Sequence, residues 1–207
     1  MASTTTASSK SEITLKGSTE IVTEFFGYAV NSIIFQRGLY PPDTFKRVSK
    51  YGLTILISSD EGLNQYISQV MQQLKKWLLS NDVEKLVLVI TGEETKQTLE
   101  RWVFNIHTSD VENTNPDQVR ASKTDKEIAG EISAIIRQIT GSVTFLPLLE
   151  EACSFDLLVY AREQVSVPME WEDSDPKYIA NGTEVALRSF TTKVHKVDAM
   201  VSYRALA

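Results

Sequence analysis

The sequence predicts an α+β fold, with three central helices packed on one face of a mainly antiparallel sheet. Helical and strand-like segments are mixed along the chain without a regular βαβ alternation. Two strand patterns also flank the turn signal Gly92-Glu93, which is typical of an antiparallel hairpin. At 207 residues and 42% hydrophobic content, the chain is long enough to bury one core without disulfides or metal. We therefore predict one domain, residues 13–207, after a Ser/Thr-rich and disordered N-terminal tail, residues 1–12.

The three helices are predicted from apolar residues at helical spacing. From Ile21, two neighbouring rows of apolar residues at i and i+4 form a wide apolar face, which indicates a central and largely buried helix. A second helix follows the capping candidates Ser59 and Asp60. The third begins at Thr124-x-x-Glu127, which matches a capping box and precedes an isoleucine stripe, and we expect this helix to end at Pro147.

Runs rich in β-branched and aromatic residues predict the strands. In one of them Phe155, Leu157 and Val159 share one face, while Tyr160 lies on the other. The polar stretch Thr108–Lys123 has no period, so we predict a mobile loop there. The strand candidates are Ile13–Lys16, Gly52–Ile57, Val83–Thr91, Glu100–His107, Ser154–Ala161, Glu184–Val194 and Val197–Tyr203.

Composition argues against several classes of function. A net charge of -6 and the lack of a basic run argue against nucleic acid as the main ligand. The N-terminus does not look like a signal peptide and no apolar run reaches membrane-spanning length, so we expect a soluble, intracellular protein without a membrane partner. Cys153 is the single cysteine, and His107 and His195 show no metal-ligand spacing, so no metal or cofactor is predicted.

No catalytic constellation is visible in the sequence, and we therefore predict a binding protein instead of an enzyme. Cys153 with His195 is a conceivable thiol and base, which leaves a small cysteine or serine hydrolase as an alternative, although cysteine is more often a small buried hydrophobe. The three tryptophans are expected to pack in the core or at an interface, and binding is a second role for Trp77 and Trp171.

The outer face of the third helix has an unusual composition. On a helical wheel Arg137 lies opposite the isoleucine stripe, and its neighbours on that face are Gly130, Ala134 and Gly141. No acid at i-4, i-3, i+3 or i+4 pairs with the arginine, and each glycine costs about 1 kcal/mol of helix stability relative to alanine. We therefore predict that this face docks another protein; the alternative is an ordinary exposed arginine.

Six blocks of the sequence carry a family resemblance: NSIIFQRGLYP, KYGL, LERW, IIRQITGSVTFLPLLE, CSFDLLVY and RSFTTKVHKV, which begin at residues 31, 50, 99, 135, 153 and 188. They resemble spindle-checkpoint members of the HORMA-domain family, in the same order and spacing from about Ile13 onward. That resemblance implies a HORMA fold with an open and a closed topology, which differ in where the C-terminal segment pairs with the sheet. In the closed form this segment, residues 164–207, is expected to fold as a mobile seat belt over a partner peptide.

The resemblance also implies roles for particular residues. A partner peptide is expected to add to the edge strand Ser154–Ala161 as an extra strand. Leu15 is expected to belong to an N-terminal segment that rearranges on closure. The expected peptide-binding residues are Trp77, Phe155, Leu157, Val159, Tyr160 and Trp171. The expected dimerisation residues are Arg137, Gln138, Thr144, Phe145 and Arg188.

The implied function is that of a spindle assembly checkpoint adaptor that inhibits the anaphase-promoting complex and delays anaphase. Its implied partners are a coiled-coil checkpoint receptor at the kinetochore, the activator subunit of the anaphase-promoting complex, the mitotic checkpoint complex, a closed-form adaptor, an AAA+ ATPase, and a second copy of the chain in the other conformer. The implied localisation is the nucleus, the kinetochore and the cytoplasm. Another HORMA adaptor, either a translesion polymerase accessory subunit or a meiotic axis protein, remains the alternative.

Overall fold

A computed structural model describes residues 14–108, 123–162 and 165–205. The predicted tail and residues 109–122 of the predicted loop lie outside the described residues. Within the described part there are three α-helices, as predicted, and two short 3-10 turns, Pro42–Thr44 and Ser142–Thr144. The helices are α1, Leu15–Gln36, α2, Glu61–Leu79, and α3, Asp125–Gly141.

The strands form a hairpin and a five-stranded antiparallel sheet, which confirms the predicted α+β class. The hairpin joins β1, Phe45–Lys50, to β2, Leu53–Ser58. The sheet has the order β5-β3-β4-β7-β6, so the last two strands of the chain pair beside β4 and leave β5 at the opposite edge. Its strands are β3, Val83–Gly92, β4, Thr98–Thr108, β5, Cys153–Ala161, β6, Thr183–Thr191, and β7, His195–Tyr203.

Helix α1 is the centre of the core, as its wide apolar face predicted. Both of its neighbouring phenylalanines are fully buried, and their rings lie 5.8 Å (Phe25) and 5.6 Å (Phe26) from the ring of Phe104 on β4. Helices α2 and α3 both pack against α1 on the same face of the sheet. The burial of entire aromatic side chains is the largest source of stability available to a core of this kind.

The prediction of a strand at Ile13–Lys16 is wrong for the described part of that segment. Thr14 has extended backbone and caps α1, because its Oγ1 accepts a hydrogen bond of 3.2 Å from the amide of Gly17. Leu15 is therefore the first helical residue. The first turns are also held from outside the helix, since Ser18 Oγ lies 2.6 Å from Nδ1 of the buried His195 on β7.

Helix α3 begins as predicted and ends earlier than predicted. Thr124 and Glu127 form the capping box in both directions. The helix ends at Gly141 instead of Pro147, because Ser142 turns into a 3-10 segment and its hydroxyl donates to the carbonyl of Ile139 at 2.6 Å. The strand β1 was not predicted, since its alternation is too weak: most of its side chains are exposed or half-buried.

Candidate peptide-binding edge and helix face

The outer edge of β5 carries no paired strand among the described residues. At both ends of β5 the even-numbered positions bond inward: Arg162 N donates to Asp82 O at 2.9 Å, and Ala152 O accepts from Glu93 N at 2.8 Å. Because backbone groups alternate along a strand, the odd-numbered positions from Phe155 to Ala161 direct their N–H and C=O groups away from the sheet. Such an edge is a template for one more strand.

A cleft runs along this edge between β5, helix α2 and the segment that connects β5 to β6. We call residues 165–182 the crossing segment. Its Trp171 ring meets Trp77 of α2 edge to face, with the ring centroids 5.0 Å apart. Two adjoining cavities, of about 370 and 750 Å³, lie beside this contact and are both lined by Leu157 and Trp171. The crossing segment therefore forms the outer wall of the cleft.

The crossing segment passes from one face of the sheet to the other around the β5 edge. Trp171 packs against the core on the helix side. Farther along, the ring of Tyr178 lies 4.6 Å from the guanidinium carbon of Arg101, whose Nη2 donates to the hydroxyl of Tyr160 at 3.4 Å. Tyr160 belongs to a small apolar cluster on the opposite face of the sheet. The crossing segment, which we also call the strap, therefore encloses the free edge.

The structure brings most of the predicted peptide-binding residues together. Leu157 is buried, and Val159 is half-buried against the helix-side core. Phe155 lies beyond the strap, in a third cavity of about 310 Å³ that it shares with Tyr40 and Tyr66. Five of the six predicted peptide-binding residues line the strap-covered cleft: Trp77, Leu157, Val159, Tyr160 and Trp171.

Sequence reasoning missed Tyr66, which bonds directly to the edge strand. The amide of Leu157 donates a 3.1 Å hydrogen bond to the Tyr66 hydroxyl. Burial raises the pKa of this hydroxyl above its ordinary value, and the hydrogen bond from the Leu157 amide opposes that rise. In the sequence, Tyr66 stands one residue before Ile67 of the apolar stripe of α2. That position predicts a side chain at the margin of the buried face and gives no sign of a bond to β5.

A second missed feature is a buried ion pair between the end of α1 and β4. Arg37 Nε donates to Glu100 Oε1 at 2.8 Å, and Trp102 Nε1 donates to the other carboxylate oxygen at 3.1 Å. Arg37 also donates to the carbonyl of Pro147. Burial raises the pKa of the Glu100 carboxyl, and the Arg37 charge opposes that rise. The signal was present in the sequence, because alternation places Glu100 on the same face as Trp102.

The predicted dimerisation residues lie around the C-terminal end of α3. Arg137 and Arg188 are exposed, and the described residues supply no acidic partner to Arg137. Gln138 Oε1 accepts the backbone N–H of Arg188 on β6 at 2.6 Å. Phe145 is 39% exposed and packs its inner edge on Tyr203 of β7, with the ring centroids 6.2 Å apart, and Thr144 beside it is also exposed. The five residues thus cluster where α3 meets the last two strands.

The Cys153–His195 dyad of the hydrolase alternative does not form. Cys153 Sγ donates to the carbonyl of Glu151 at 3.3 Å, and burial raises the pKa of its thiol. His195 instead contacts Ser18 in the core. Within the described ranges, no cluster of three or more His, Cys, Asp and Glu residues is arranged to hold a metal ion. None of the described helices has the length and hydropathy that crossing a membrane requires.

The fold and the edge together define an α+β domain whose C-terminal portion straps a free strand edge. The sequence model for the HORMA domain matches residues 18–195, and this chain belongs to that family. It is 60% identical to "Mitotic spindle assembly checkpoint protein MAD2A" of Dictyostelium discoideum over 95% of both chains, and 52% identical to the Homo sapiens protein of that name over 93% of both. A chain in the solved structure "Crystal Structure of Mitotic Checkpoint Complex" is 48% identical, with a TM-score of 0.81 and coverage of 91% of this chain and 99% of that one. The family and fold predicted from the sequence are confirmed.

Proposed function

We propose that this chain is a spindle assembly checkpoint adaptor that binds an extended peptide of its partners along the β5 edge, beneath the crossing segment. The observation that carries the proposal is a strand edge with outward-facing backbone groups, lying inside a strap. The similarity to checkpoint proteins, and to a chain of a checkpoint complex, supports this function over that of another HORMA adaptor.

Binding would proceed by strand addition. Outward-facing backbone groups on the β5 edge can exchange hydrogen bonds with the incoming peptide, and pockets between α2 and the strap take its alternate side chains. We assign Phe155, Leu157, Val159 and Tyr160 as the β5 residues that bind the peptide, and Trp77 and Trp171 as the residues that close the cleft. A peptide held under the strap leaves only when the strap opens, so release is slow.

We propose that this arrangement is the closed topology implied by the family resemblance; in its support, β7 pairs with β4 over its full length, from Glu100–Tyr203 to Thr108–His195. If the same C-terminal strands paired instead with β5, they would occupy the peptide position. We propose that partner binding shifts the population toward the closed form, with Leu15 in the rearranging N-terminal segment.

We assign as partners a coiled-coil checkpoint receptor at the kinetochore and the activator of the anaphase-promoting complex, whose capture within the mitotic checkpoint complex delays anaphase. A closed-form adaptor and an AAA+ ATPase would return the chain to its open form. The chain acts by binding and not by catalysis, in the nucleus, at the kinetochore and in the cytoplasm.

The peptide site is tested with Val159→Pro. The outward-facing amide of Val159 makes no bond to β3, so proline removes one donor to the peptide and leaves the sheet ladder intact. Affinity capture from a mitotic extract should recover the receptor and the activator on the wild-type chain and lose both on the variant. Leu148→Ala, at a residue 81% exposed outside the cleft, is the control. Recovery of polymerase subunits on the wild-type chain would contradict the checkpoint role.

The helix face is tested with Arg137→Ala. We propose that Arg137, Gln138, Thr144, Phe145 and Arg188 form the surface on which two copies in different conformers associate. Since Arg137 is exposed and makes no ion pair within the described chain, its loss should leave stability unchanged and weaken self-association, measured by sedimentation. Lys126→Ala, another exposed cation on α3, should change neither. An unchanged dimer in Arg137→Ala would rule out the assignment.

A further inference from the structure

The outward-facing edge of β5 is not uniformly available to a bound strand. By alternation, the amides of Phe155, Leu157, Val159 and Ala161 all face away from the sheet. Among the described residues, the Leu157 amide already has a partner, the Tyr66 hydroxyl at 3.1 Å, and the other three amides have none. A peptide carbonyl that paired with Leu157 would have to occupy the place of that hydroxyl, since both need to lie about 3 Å from the same nitrogen.

The Tyr66 hydroxyl is held in this place by packing. Its ring meets Phe155 at a steep angle, with the ring centroids 5.9 Å apart, and Phe155 in turn meets Tyr40 at 6.5 Å. Both contacts have the edge-to-face geometry that aromatic pairs favour. The ring is nevertheless 37% exposed at the cleft, so it stands within reach of a ligand. Swinging Tyr66 aside would break the ring contact and leave the Leu157 amide to be paired by the ligand alone.

Tyr66 also divides the cleft into two parts. On one side lies the strap-covered cavity of about 750 Å³, lined by Leu157 and Trp171. On the other lies the cavity of about 310 Å³ between Tyr40, Leu63 and Phe155. Tyr66 lines both of them. The second cavity has aromatic and aliphatic walls, which suit an apolar side chain better than a polar backbone.

We propose that Tyr66 sets the register of the bound strand: backbone pairing stops short of the Leu157 amide, and the next part of the peptide enters the Tyr40–Phe155 cavity through an apolar side chain. This inference rests on the proposed peptide binding at β5 and names a specificity residue for it. Strand register is weakly specified along a flat edge unless something blocks the wrong alignments, and a hydroxyl that already occupies one amide is such a block.

The hydrogen bond itself is tested on the free protein. In Tyr66→Phe, which keeps the ring and removes the hydroxyl, amide exchange at Leu157 should become about fivefold to tenfold faster, the effect of one net hydrogen bond. Val159, whose amide has no such partner, should exchange at an unchanged rate. Tyr40→Phe is the matched control, because Tyr40 also contacts Phe155 and no described hydrogen bond uses its hydroxyl. Unchanged exchange at Leu157 in Tyr66→Phe would overturn the inference.

The register is tested with a peptide selected on the wild-type chain from a random 12-residue display library. Each backbone amide of that peptide is replaced in turn by an ester, whose carbonyl is a weaker hydrogen-bond acceptor, and affinities are measured by fluorescence anisotropy. In the wild-type chain, ester replacement past the Leu157 position should change the affinity less than twofold; in Tyr66→Phe the carbonyl that pairs with the Leu157 amide should become sensitive by about fivefold. Replacing the side chain in the Tyr40–Phe155 cavity with a charged one should weaken binding to both chains.

These experiments distinguish a failure of the role of Tyr66 from a failure of the proposed function. Ester-replacement profiles that are identical in the wild-type chain and in Tyr66→Phe would overturn the role of Tyr66 and leave the proposed function standing. If the library yields no peptide whose binding Val159→Pro abolishes, the proposed function fails and this inference fails with it.

Discussion

The backbone N–H of Arg188 donates a 2.6 Å hydrogen bond to Oε1 of Gln138, which joins the outer edge of β6 to α3. The bond is possible because β6 bulges between Ala186 and Ser189, so the Arg188 amide is free of the ladder with β7. Two turns earlier on the same helix face, Glu131 accepts the amide of Thr191 at 2.9 Å. Helix α3 therefore closes the β6 edge of the sheet, whereas the β5 edge remains free for a ligand.

Gln138→Met tests this connection. The substitution keeps the volume and removes the acceptor, so the free energy of unfolding should fall by about 1 kcal/mol in urea titrations. Gln138→Glu, which keeps an acceptor at the same place, should lose less. Equal losses in the two variants would mean that the Arg188 hydrogen bond does not stabilise the edge.

Trp171→Ala tests the strap. The variant removes the edge-to-face contact with Trp77 that holds the crossing segment against α2. A bound, fluorescent peptide should then dissociate about tenfold faster when chased with unlabelled peptide, which is the effect expected for one aromatic pair and its burial. Met169→Ala changes a side chain that is 99% exposed in the same segment and should leave the release rate unchanged. Equally fast release from both variants would argue against closure by the indole.

Glu100→Ala tests the buried ion pair. Removing the carboxylate leaves the Arg37 charge buried without its partner and the Trp102 N–H without an acceptor, which should cost about 3–5 kcal/mol of unfolding free energy. Glu100→Gln keeps an acceptor and should cost less. Calorimetric or urea unfolding of the two variants would measure the difference, and a loss below 1 kcal/mol in Glu100→Ala would show that water reaches Arg37.

His195 predicts a pH dependence of stability. Burial lowers the pKa of its imidazole from 6.5 to about 4, so the folded chain keeps His195 neutral where the unfolded chain binds a proton. Stability should therefore fall as the pH falls below 6.5, by about 2 kcal/mol between pH 7 and pH 5. Urea titrations at both pH values should give a smaller fall for His195→Asn, which retains a polar atom near Ser18. Equal falls in the two chains would contradict the buried, neutral state.

Much of this architecture was readable from local patterns. The apolar rows of α1, the Asp60 cap and the Thr124–Glu127 capping box all depend on neighbours within one or two turns, and each is present as predicted. The prediction of a strand at Ile13–Lys16 was wrong because β-branched residues can also begin a helix when a threonine caps it and a distant histidine holds the first turn. The predicted end of α3 at Pro147 was wrong for a similar reason, since the hydroxyl of Ser142 ends the helix before the proline.

By itself the sequence determined the fold class, the three helices, the family and an unusual helix face around Arg137, because these follow from periodicity, capping and residue type. Only the tertiary structure decided that β7 pairs with β4, so that β5 is left open, and that Tyr66 occupies one of its amides. The physical reason is that strand order and edge contacts depend on groups far apart in the chain: Tyr66 and Leu157 are separated by 91 positions. No local pattern in the sequence indicates whether the last strands pair beside β4 or beside β5.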